Sequence, residues 1–436
     1  MNPHQIQHIK ARRVWDSRGF PTVEAEVRFA GGGFGRAIAP AGASRGSREA
    51  TDLRDASPRL GGRDVRAAVA AVNDVIAPAL TGQDGSNQQA IDQCLIDLDG
   101  TPLKTHLGGN AIVATSLAIL HAAADATGST LWQYLASQYR VKPQLPLPEI
   151  QIFGGGAHAG RRVDIQDFMV MVPGAESFED AIEITAEIYY AAGRLMADAG
   201  KLAGVADEGG WWPMFDTNEQ ALELLIRAIE MAGQTPGEKV VISLDIAASE
   251  FGSANRYKLG LDKRELDSDA LCEMLGQWID RYPIVSIEDP LAEDDDAGMR
   301  AFTAAYGKRI QIIGDDYLVT NKALVDRAVQ NKTCNAVLIK VNQVGTVTES
   351  LDTLTAAKNA GWGTIVSARS GETEDLSICH LATGLSSGQL KVGSFSRSER
   401  MAKWNECIRI QDAIGPAQFA GSQPLADTEW GRRHNS

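Results

Sequence analysis

Five short stretches decide the fold class of this chain, and each is an apolar run that stops at an ionisable residue. The runs are rich in Ile, Val and Leu, which is typical of strands buried on both faces of a parallel sheet. They therefore predict neighbouring strands of one sheet. They read VVISLD at 240–245, IVSIED at 284–289, IQIIGDD at 310–316, AVLIK at 336–340 and TIVSAR at 364–369.

Three further apolar runs bring the number of predicted strands to eight, and they lie at 148–153, 168–172 and 390–392. Helical spacing of apolar residues fills the stretches between the later strands, at 268–281, 321–330 and 346–360. This alternation predicts an α/β fold, a (β/α)8 barrel. An open doubly wound sheet is the alternative. The barrel is favoured because no G-x-G-x-x-G follows the first strand and polar residues stand where successive strands end.

The first third of the chain has a different pattern. Apolar and polar residues alternate over 22–29, three glycines follow, and a second run covers 34–40, which predicts a β-hairpin. Helical spacing over 63–80 and again over 110–127 predicts two helices. These elements indicate a smaller α+β domain before the barrel.

The proline-containing segment 141–147 is typical of a linker. It divides the 436 residues into a predicted N-terminal α+β domain, 1–141, and a predicted C-terminal barrel, 142–436. A chain of this length is long for one compact unit, so two domains are the better expectation.

Composition limits the classes of partner. A formal net charge of -14 disfavours nucleic acid and anionic membrane, which leaves a small molecule held by a local cluster of cations or metal. The N-terminal stretch lacks the apolar run of a secretory signal, and no segment is apolar enough to span a membrane, so a cytoplasmic location is expected. Five scattered cysteines without a C-x-x-C pair argue against a disulfide framework and a thiolate zinc site.

The ionisable residues at the strand ends predict a site. In a barrel the C-terminal strand ends form one mouth, so three carboxylates and three cations meet there. Carboxylates without a counter-ion would repel one another, which favours a bound divalent cation. The all-oxygen set favours Mg²⁺, with Mn²⁺ as a substitute, over Zn²⁺. The residues are Asp245, Glu288, Asp315, Lys340, Arg369 and Lys391.

A single acidic residue at a strand end can equally cap the next helix. Six ionisable residues in register are harder to explain in that way. Asp289 and Asp316, which lie beside two of the proposed ligands, are interpreted as caps or supporting groups rather than as ligands.

Longer motifs run through nearly the whole chain, and with them the sequence resembles the enolase family. The resemblance implies a small α+β domain, a barrel whose first two strands pair in an unusual order, and assembly as a homodimer or a ring of dimers. It also implies Mg²⁺-dependent removal of the proton next to a carboxylate, with 2-phosphoglycerate or phosphoenolpyruvate as the ligand. The motifs are DSRGFPTVEAEV, GASRGSREA, AHAG, DEGG, SLDIAASE, SIEDP, GDD, LIKVNQVGTVTES, RSGETED and RSERMAKWNE.

The resemblance assigns roles to individual residues. Asp245, Glu288 and Asp315 would hold one magnesium ion, and Ser44 would cover a second. Lys340 would be the base that takes the α-proton. We expect nearby cations to lower the pKa of Lys340, since like charges favour the neutral form that a base needs.

The remaining roles concern the substrate. Glu208, supported by Asp207, would protonate the departing hydroxyl, with Asp167 beside it. Lys391 would bind the substrate carboxylate. Groups assigned to the phosphate or to a further anion are Arg369, Ser370, His158 and Arg45.

The sequence departs from the family pattern around the leaving hydroxyl and on the loops. Two cations, Arg161 and Arg162, are also added beyond the AHAG motif. Trimmed side chains and added cations favour a larger or more charged substrate. The substitutions are Ala368 for histidine, Asp167 for glutamate, Arg45 for threonine, Gly154 for asparagine and Ala206 for glycine.

These departures favour a specialised member of the family, such as the carboxyphosphonoenolpyruvate synthase branch of phosphonate biosynthesis. That branch joins a three-carbon enol unit to a nucleotide-activated phosphonoformate. Two alternatives stay open. One is an ordinary glycolytic enolase, and the other is an inactive enolase-like scaffold.

Overall fold

A computed structural model describes residues 2–434. The chain begins with a three-stranded antiparallel sheet of order β1-β2-β3, formed by Ile6–Trp15 (β1), Pro21–Phe29 (β2) and Phe34–Ile38 (β3). The predicted hairpin is therefore confirmed, and β1 is an additional strand. Its alternation is interrupted because the register shifts between Ile6 and His8, so that the buried Ile6 and Ile9 are three residues apart, and because Trp15 is half exposed.

Helices cover one face of this sheet. The predicted helix at 63–80 starts at Arg66 and contains a π-helical segment, Ala71–Ile76, and the predicted helix at 110–127 is confirmed as α4. Gly35 on β3 lets α4 approach closely, since a Cβ there would lie 1.9 Å from the Ala118 carbonyl oxygen. The helices are Arg66–Ala70 (α1), Ala77–Leu80 (α2), Gln88–Asp99 (α3), Gly109–Ala126 (α4) and Leu131–Tyr139 (α5).

Eight strands form a closed barrel. The last strand pairs with the first through Leu390 and Pro148, which excludes the open doubly wound sheet. All eight predicted strands are confirmed to within two residues at either end. They are Leu147–Gly154 (β4), Asp167–Met171 (β5), Val241–Asp245 (β8), Ile284–Glu288 (β12), Gln311–Gly314 (β13), Ala336–Ile339 (β14), Gly363–Ser367 (β15) and Gly388–Gly393 (β16).

One barrel strand runs against the others. β5 pairs antiparallel with β4 and with β8, whereas the pairs from β8 through β16 to β4 are parallel. The first residue of β5, Asp167, consequently lies beside Asp245, the last residue of β8. An antiparallel strand thus delivers its N-terminal residue to the mouth that the other strands reach with their C-terminal ends.

Helices follow the barrel strands on the outside, and the three helices predicted at 268–281, 321–330 and 346–360 are confirmed. They are Phe178–Asp198 (α6), Glu219–Met231 (α7), Ser268–Arg281 (α8), Asp296–Tyr306 (α9), Lys322–Asn331 (α10), Val341–Val344 (α11), Val347–Asn359 (α12), Ser377–Gly384 (α13), Ser398–Ile414 (α14) and Glu429–His434 (α15).

Five short strands lie outside the barrel wall and were not predicted. One hairpin adds to β4, and a small separate sheet follows β8. Within residues 2–434 no single helix meets the length and hydropathy that crossing a membrane requires, although α4 and α5 do so together across an 89° bend. The short strands are Leu202–Val205 (β6), Trp211–Pro213 (β7), Gly252–Ser253 (β9), Arg256–Leu259 (β10) and Arg264–Leu266 (β11).

Candidate active site

The three predicted metal ligands lie side by side at the barrel mouth. Asp245 ends β8, Glu288 ends the neighbouring β12, and Asp315 directly follows β13. The β8–β12 register pairs Glu288 with Asp245. All three are at least 95% buried, with exposed fractions of 2%, 0% and 4%. The structure thus brings together carboxylates that lie far apart in the sequence.

Lys391 on β16 lies among these carboxylates. Its Nζ is 2.8 Å from Asp245 Oδ2, 2.8 Å from Glu288 Oε2 and 3.6 Å from Asp167 Oδ2. Burial alone would lower the pKa of this amine, but the surrounding carboxylates raise it well above its usual value. Lys391 is therefore a fixed cation at the centre of the mouth.

Lys340 follows β14 and forms an ion pair with Asp315. The expectation of a lowered pKa is wrong for this geometry. Burial, Arg369 and Lys391 all lower the pKa of Lys340, as expected, but contact with Asp315 outweighs them and raises it. In this arrangement, contact with Asp315 therefore favours the protonated form of the Lys340 amine.

The donor set fits a divalent cation. Burial and the adjacent Asp245 raise the pKa of Glu288 well above its usual value. Glu288 Oε1 is buried without a hydrogen-bond partner among the residues that the structure describes. A buried carboxylate oxygen without a donor is costly, and a hard cation would satisfy it.

Asp289 lies against the turn that carries Asp315 and Asp316. Asp289 accepts hydrogen bonds from the main-chain N–H groups of Asp315 (2.9 Å) and Asp316 (2.7 Å). Oxygens of these three carboxylates lie within 4.8 Å of one another. Asp289 thereby fixes the turn that presents Asp315 to the mouth.

A second ionic group lies around His158, on the loop after β4. Its Nδ1 is 3.1 Å from Asp167 Oδ1, and its Nε2 is 3.6 Å from Glu208 Oε1 and 3.4 Å from Ser370 Oγ. Burial lowers the pKa of His158, but Glu208 and Asp167 raise it to about 9. Burial likewise opposes ionisation of Asp167, yet His158 and Lys391 hold its pKa at about 2. The loop is therefore held in place by a charged imidazole.

Arg369 joins the barrel to the N-terminal domain. Its guanidinium donates to Glu49 Oε1 at 3.0 Å and Oε2 at 3.1 Å, and to the Ser44 carbonyl at 3.1 Å. Ser370 Oγ accepts a hydrogen bond of 2.9 Å from the Ala43 N–H. These contacts fold the 41–46 loop over the mouth and bury Ser44 to 8% exposure.

Comparison with known proteins agrees with this geometry. Residues 142–427 match the family model described as "Enolase, C-terminal TIM barrel domain", and residues 6–135 match "Enolase, N-terminal domain".

The chain belongs to the enolase family.

A curated relative, "Enolase 1" of Desulfitobacterium hafniense (strain Y51), is 47% identical over 418 residues, which is 95% of this chain and 95% of that protein. Members of the enolase family are lyases, so the chain is an enzyme of that superfamily. Membership implies Mg²⁺ binding, and the buried carboxylates of Asp289, Asp315 and Asp316 lie close enough together to hold an ion.

Two departures from the enolase pattern compensate each other in space. A Cβ on Gly154 would lie 2.5 Å from the Cβ of Ala206. A side chain at 154 and a methyl group at 206 cannot both fit without movement. The loss of asparagine at 154 and the gain of alanine at 206 are therefore one local repacking event.

The added cations lie away from the carboxylates. The Arg45 side chain is 50% exposed, 3.9 Å from Asp52 Oδ2, and Arg161 pairs with Glu250 at 2.6 Å. Arg162 is exposed on the same loop as Arg161. Ala368, in contrast, is buried between Ser367 and Arg369. The added charge thus surrounds the mouth instead of entering it.

Several contacting residues were missed by the sequence prediction. Glu49 pairs with Arg369, Gln166 Nε2 donates to Asp245 Oδ2 at 3.0 Å, and Gln343 Nε2 donates to Asp315 Oδ1 at 2.8 Å. Gln151 donates to Asp167. Glu49 and Gln343 lie in the GASRGSREA and LIKVNQVG motifs, so a polar residue in a long motif was the signal that could have found them.

Proposed function

We propose that this enzyme removes the α-proton of 2-phosphoglycerate, or acts on phosphoenolpyruvate, in a reaction that depends on Mg²⁺. The observation that carries the proposal is the mouth itself, where three buried carboxylates meet Lys340 and Lys391. A cluster of buried charge of this kind destabilises a fold and is characteristic of catalysis.

The residues that would hold the metal are Asp245, Glu288 and Asp315. A second ion, covered by Ser44, is part of the proposal, as is substitution by Mn²⁺. Bound magnesium supplies electrostatic stabilisation of the negative charge that develops on the substrate carboxylate. The unsatisfied Glu288 Oε1 supports this assignment.

Lys340 takes the proton from C2 of the substrate to its Nζ. The ion pair with Asp315 favours the protonated amine, and a metal ion held by Asp315 would weaken that contact. Lys391 keeps its own proton and binds the substrate carboxylate, for which its raised pKa suits it. Lys340 thus acts as the base, and Lys391 acts as the fixed cation.

The opposite wall handles the hydroxyl and the phosphate. Glu208 protonates the hydroxyl that leaves C3, and Asp167 holds His158 beside it through the 3.1 Å contact. Asp207 immediately precedes Glu208 and supports the turn. Arg369, Ser370 and His158 bind the phosphate, with the Arg369 guanidinium already oriented by Glu49.

Exchange of the α-proton tests the base. Lys340→Ala should lower the rate at which 2-phosphoglycerate exchanges its C2 proton with deuterium by a factor of about 10²–10⁴, followed by proton NMR in Mg²⁺. The matched control is Lys322→Ala, which removes an exposed lysine from an ion pair with Asp326 and should leave the rate unchanged. Undiminished exchange in Lys340→Ala would reject the assignment. Absence of Mg²⁺-dependent substrate binding to the wild type would instead favour the inactive scaffold.

A second candidate is the specialised transfer reaction of carboxyphosphonoenolpyruvate synthase. It is favoured by Ala368, whose methyl group cannot donate a proton near the leaving hydroxyl, and by the arginines around the mouth. The protein is incubated with Mg²⁺, phosphoenolpyruvate and the cytidylyl ester of phosphonoformate while phosphorus NMR is recorded. A new phosphonate signal supports this reaction when cytidine monophosphate is released and water carries off the phosphoryl group of phosphoenolpyruvate as inorganic phosphate. Brisk dehydration of 2-phosphoglycerate without such a signal supports an ordinary enolase.

We also propose a domain boundary, a cellular location and an oligomeric state. We place the domain boundary between residues 141 and 142, the enzyme in the cytoplasm, and its assembly in a homodimer or a ring of dimers. Light scattering after size-exclusion chromatography tests the assembly, and a monomeric mass would overturn it.

A further inference from the structure

A large cavity opens beside the folded loops. Its volume is about 880 Å³, and its wall is built from Ser17, Arg18, Phe20, Ala41, Gly42, Ala43, Arg45, Asp52, Arg54, Arg63, Ala157, Gly160, Arg161, Asp207 and Arg397. None of the proposed metal ligands lines it, nor does Lys340. Sites for ligands of drug-like size occupy about 300–1,000 Å³. The cavity is therefore large for a three-carbon phosphorylated acid.

The cavity is strongly basic in an acidic protein. Six arginines line it against only two carboxylates, Asp52 and Asp207, whereas the whole chain carries a net charge of -14. Like charges gathered in a concave wall focus a positive potential into it. The six are Arg18, Arg45, Arg54, Arg63, Arg161 and Arg397.

Several of these guanidinium groups have spare hydrogen-bonding capacity. Arg63 lies over the Phe20 ring at 3.9 Å, and Arg397 donates to the carbonyls of Ala206 and Val205. Across residues 2–434 neither of them has a carboxylate within ion-pair distance. The Nε of Arg18 is buried and has no hydrogen-bond partner there, although its Nη2 donates to the Ala41 carbonyl at 2.9 Å and lies 3.5 Å from Asp16 Oδ2.

The other arginines are anchored to different degrees. Arg54 pairs with Asp52 at 2.8 Å and Arg161 with Glu250 at 2.6 Å, whereas Arg45 is 3.9 Å from Asp52 with half of its side chain exposed. The wall therefore combines fixed arginines with donors that are still free.

We propose that this cavity is a binding site for a second anionic ligand that carries two or more phosphate-type groups. The guanidinium fork matches the oxygens of a phosphate in a bidentate way, and a ligand with several such groups would neutralise cations that now repel one another. A singly charged acid would leave most of that repulsion in place.

The position of the cavity gives this ligand a role. Ala43, which lines the cavity, donates to Ser370 Oγ at 2.9 Å, and Asp207, which also lines it, precedes Glu208. A ligand in the cavity would therefore lie next to the proposed phosphate and proton-transfer residues. The inference does not depend on which reaction occurs at the barrel mouth.

Isothermal titration with inorganic pyrophosphate tests the site in its native oligomer. EDTA is present, so the probe cannot bind through magnesium. We expect one pyrophosphate per chain, and we expect Arg45→Gln/Arg63→Gln to weaken its binding at least about tenfold through loss of charged hydrogen bonds. The matched control is Arg256→Gln/Arg300→Gln, which removes the same charge from exposed positions on the barrel and should change the affinity less than about twofold.

Other results of the pyrophosphate titration would overturn the proposed site or separate it from the barrel mouth. Absence of pyrophosphate binding to the wild type, or equal weakening in both double variants, overturns the site, since the first shows a closed or covered cavity and the second a diffuse field effect. Binding by the Lys340→Ala protein should match the wild type. If Lys340→Ala loses α-proton exchange but still binds pyrophosphate, the cavity is separate from the proposed reaction. If 2-phosphoglycerate in Mg²⁺ competes with pyrophosphate, the probe binds in the barrel mouth and the cavity is rejected.

Discussion

The two sides of the barrel mouth handle charge in opposite ways. On the strand side, Lys391 and Lys340 are held within ion-pair distance of Asp245, Glu288 and Asp315 by residues at the ends of paired strands. On the loop side, cations exceed anions, and Arg45 and Arg161 are largely exposed. The comparison indicates that the strands hold opposite charges in contact, whereas the loops hold a surplus of cations.

Removing Lys391, the central cation of the strand side, should cause the largest loss of stability. Lys391→Met leaves Asp245, Glu288 and Asp167 buried together, so we expect the free energy of unfolding to fall by about 3–5 kcal/mol in urea titration. Lys322→Met, in an exposed pair, should cause no measurable change. An unchanged urea midpoint in Lys391→Met would show that the carboxylates take up protons or water without cost.

Restoring the two side chains that the enolase resemblance predicts at the mouth should increase the dehydration activity. Ala368→His with Asp167→Glu should raise 2-phosphoglycerate dehydration by up to about a hundredfold, since one positioned donor is worth about that much. The rate is followed by phosphoenolpyruvate absorbance. The control is Ala360→His/Asp412→Glu, at two exposed positions. An equal or lower rate in the restored variant would mean that the departures do not limit dehydration.

The predictability of the two sides differs for a physical reason. The barrel strands could be predicted because burial on both faces leaves uninterrupted apolar runs, as in 241–244. β1 could not, since a register shift after Ile6 interrupts its alternation and its apolar Trp15 is half exposed. The Arg369–Glu49 pair joins residues 320 positions apart, and only the packing of the two domains brings them together.

The predicted direction of the Lys340 pKa shift was wrong for a related reason. Residue types alone indicated cations near it, and those cations do lower its pKa. The sign, however, depends on the distance between Lys340 and Asp315. A pattern of strand ends predicts which groups share a mouth, but it does not predict which of them are in contact.

Repacking beside the mouth offers a smaller test. Gly154→Asn alone should destabilise the protein by about 2 kcal/mol, because its Cβ would meet Ala206 Cβ at 2.5 Å. Ala206→Gly in the same chain should recover most of the loss. A double-mutant cycle of unfolding free energies measures the coupling. Additive effects would show that the two departures from the family are independent.

The smallest expected effect concerns the charge that holds the His158 loop. The folded-state pKa of His158 is about 9, above its ordinary value of 6.5, chiefly because Glu208 and then Asp167 outweigh burial. The stabilisation is therefore complete below pH 6.5 and is lost as the pH rises through about 9.

Glu208→Gln removes the larger of the two favourable charges. It should lower the pKa of His158 by about one unit, equivalent to about 1.4 kcal/mol, and move the upper edge of the stable range down by the same amount. Imidazole ¹⁵N NMR across pH 5–10 measures the shift in the full-length protein. Glu265→Gln, at an exposed position, is the control of equal charge. A pKa that stays at its wild-type value in Glu208→Gln would mean that Asp167 alone holds the loop. The strand and loop sides would then be linked through β5, since Asp167 also lies 3.6 Å from Lys391.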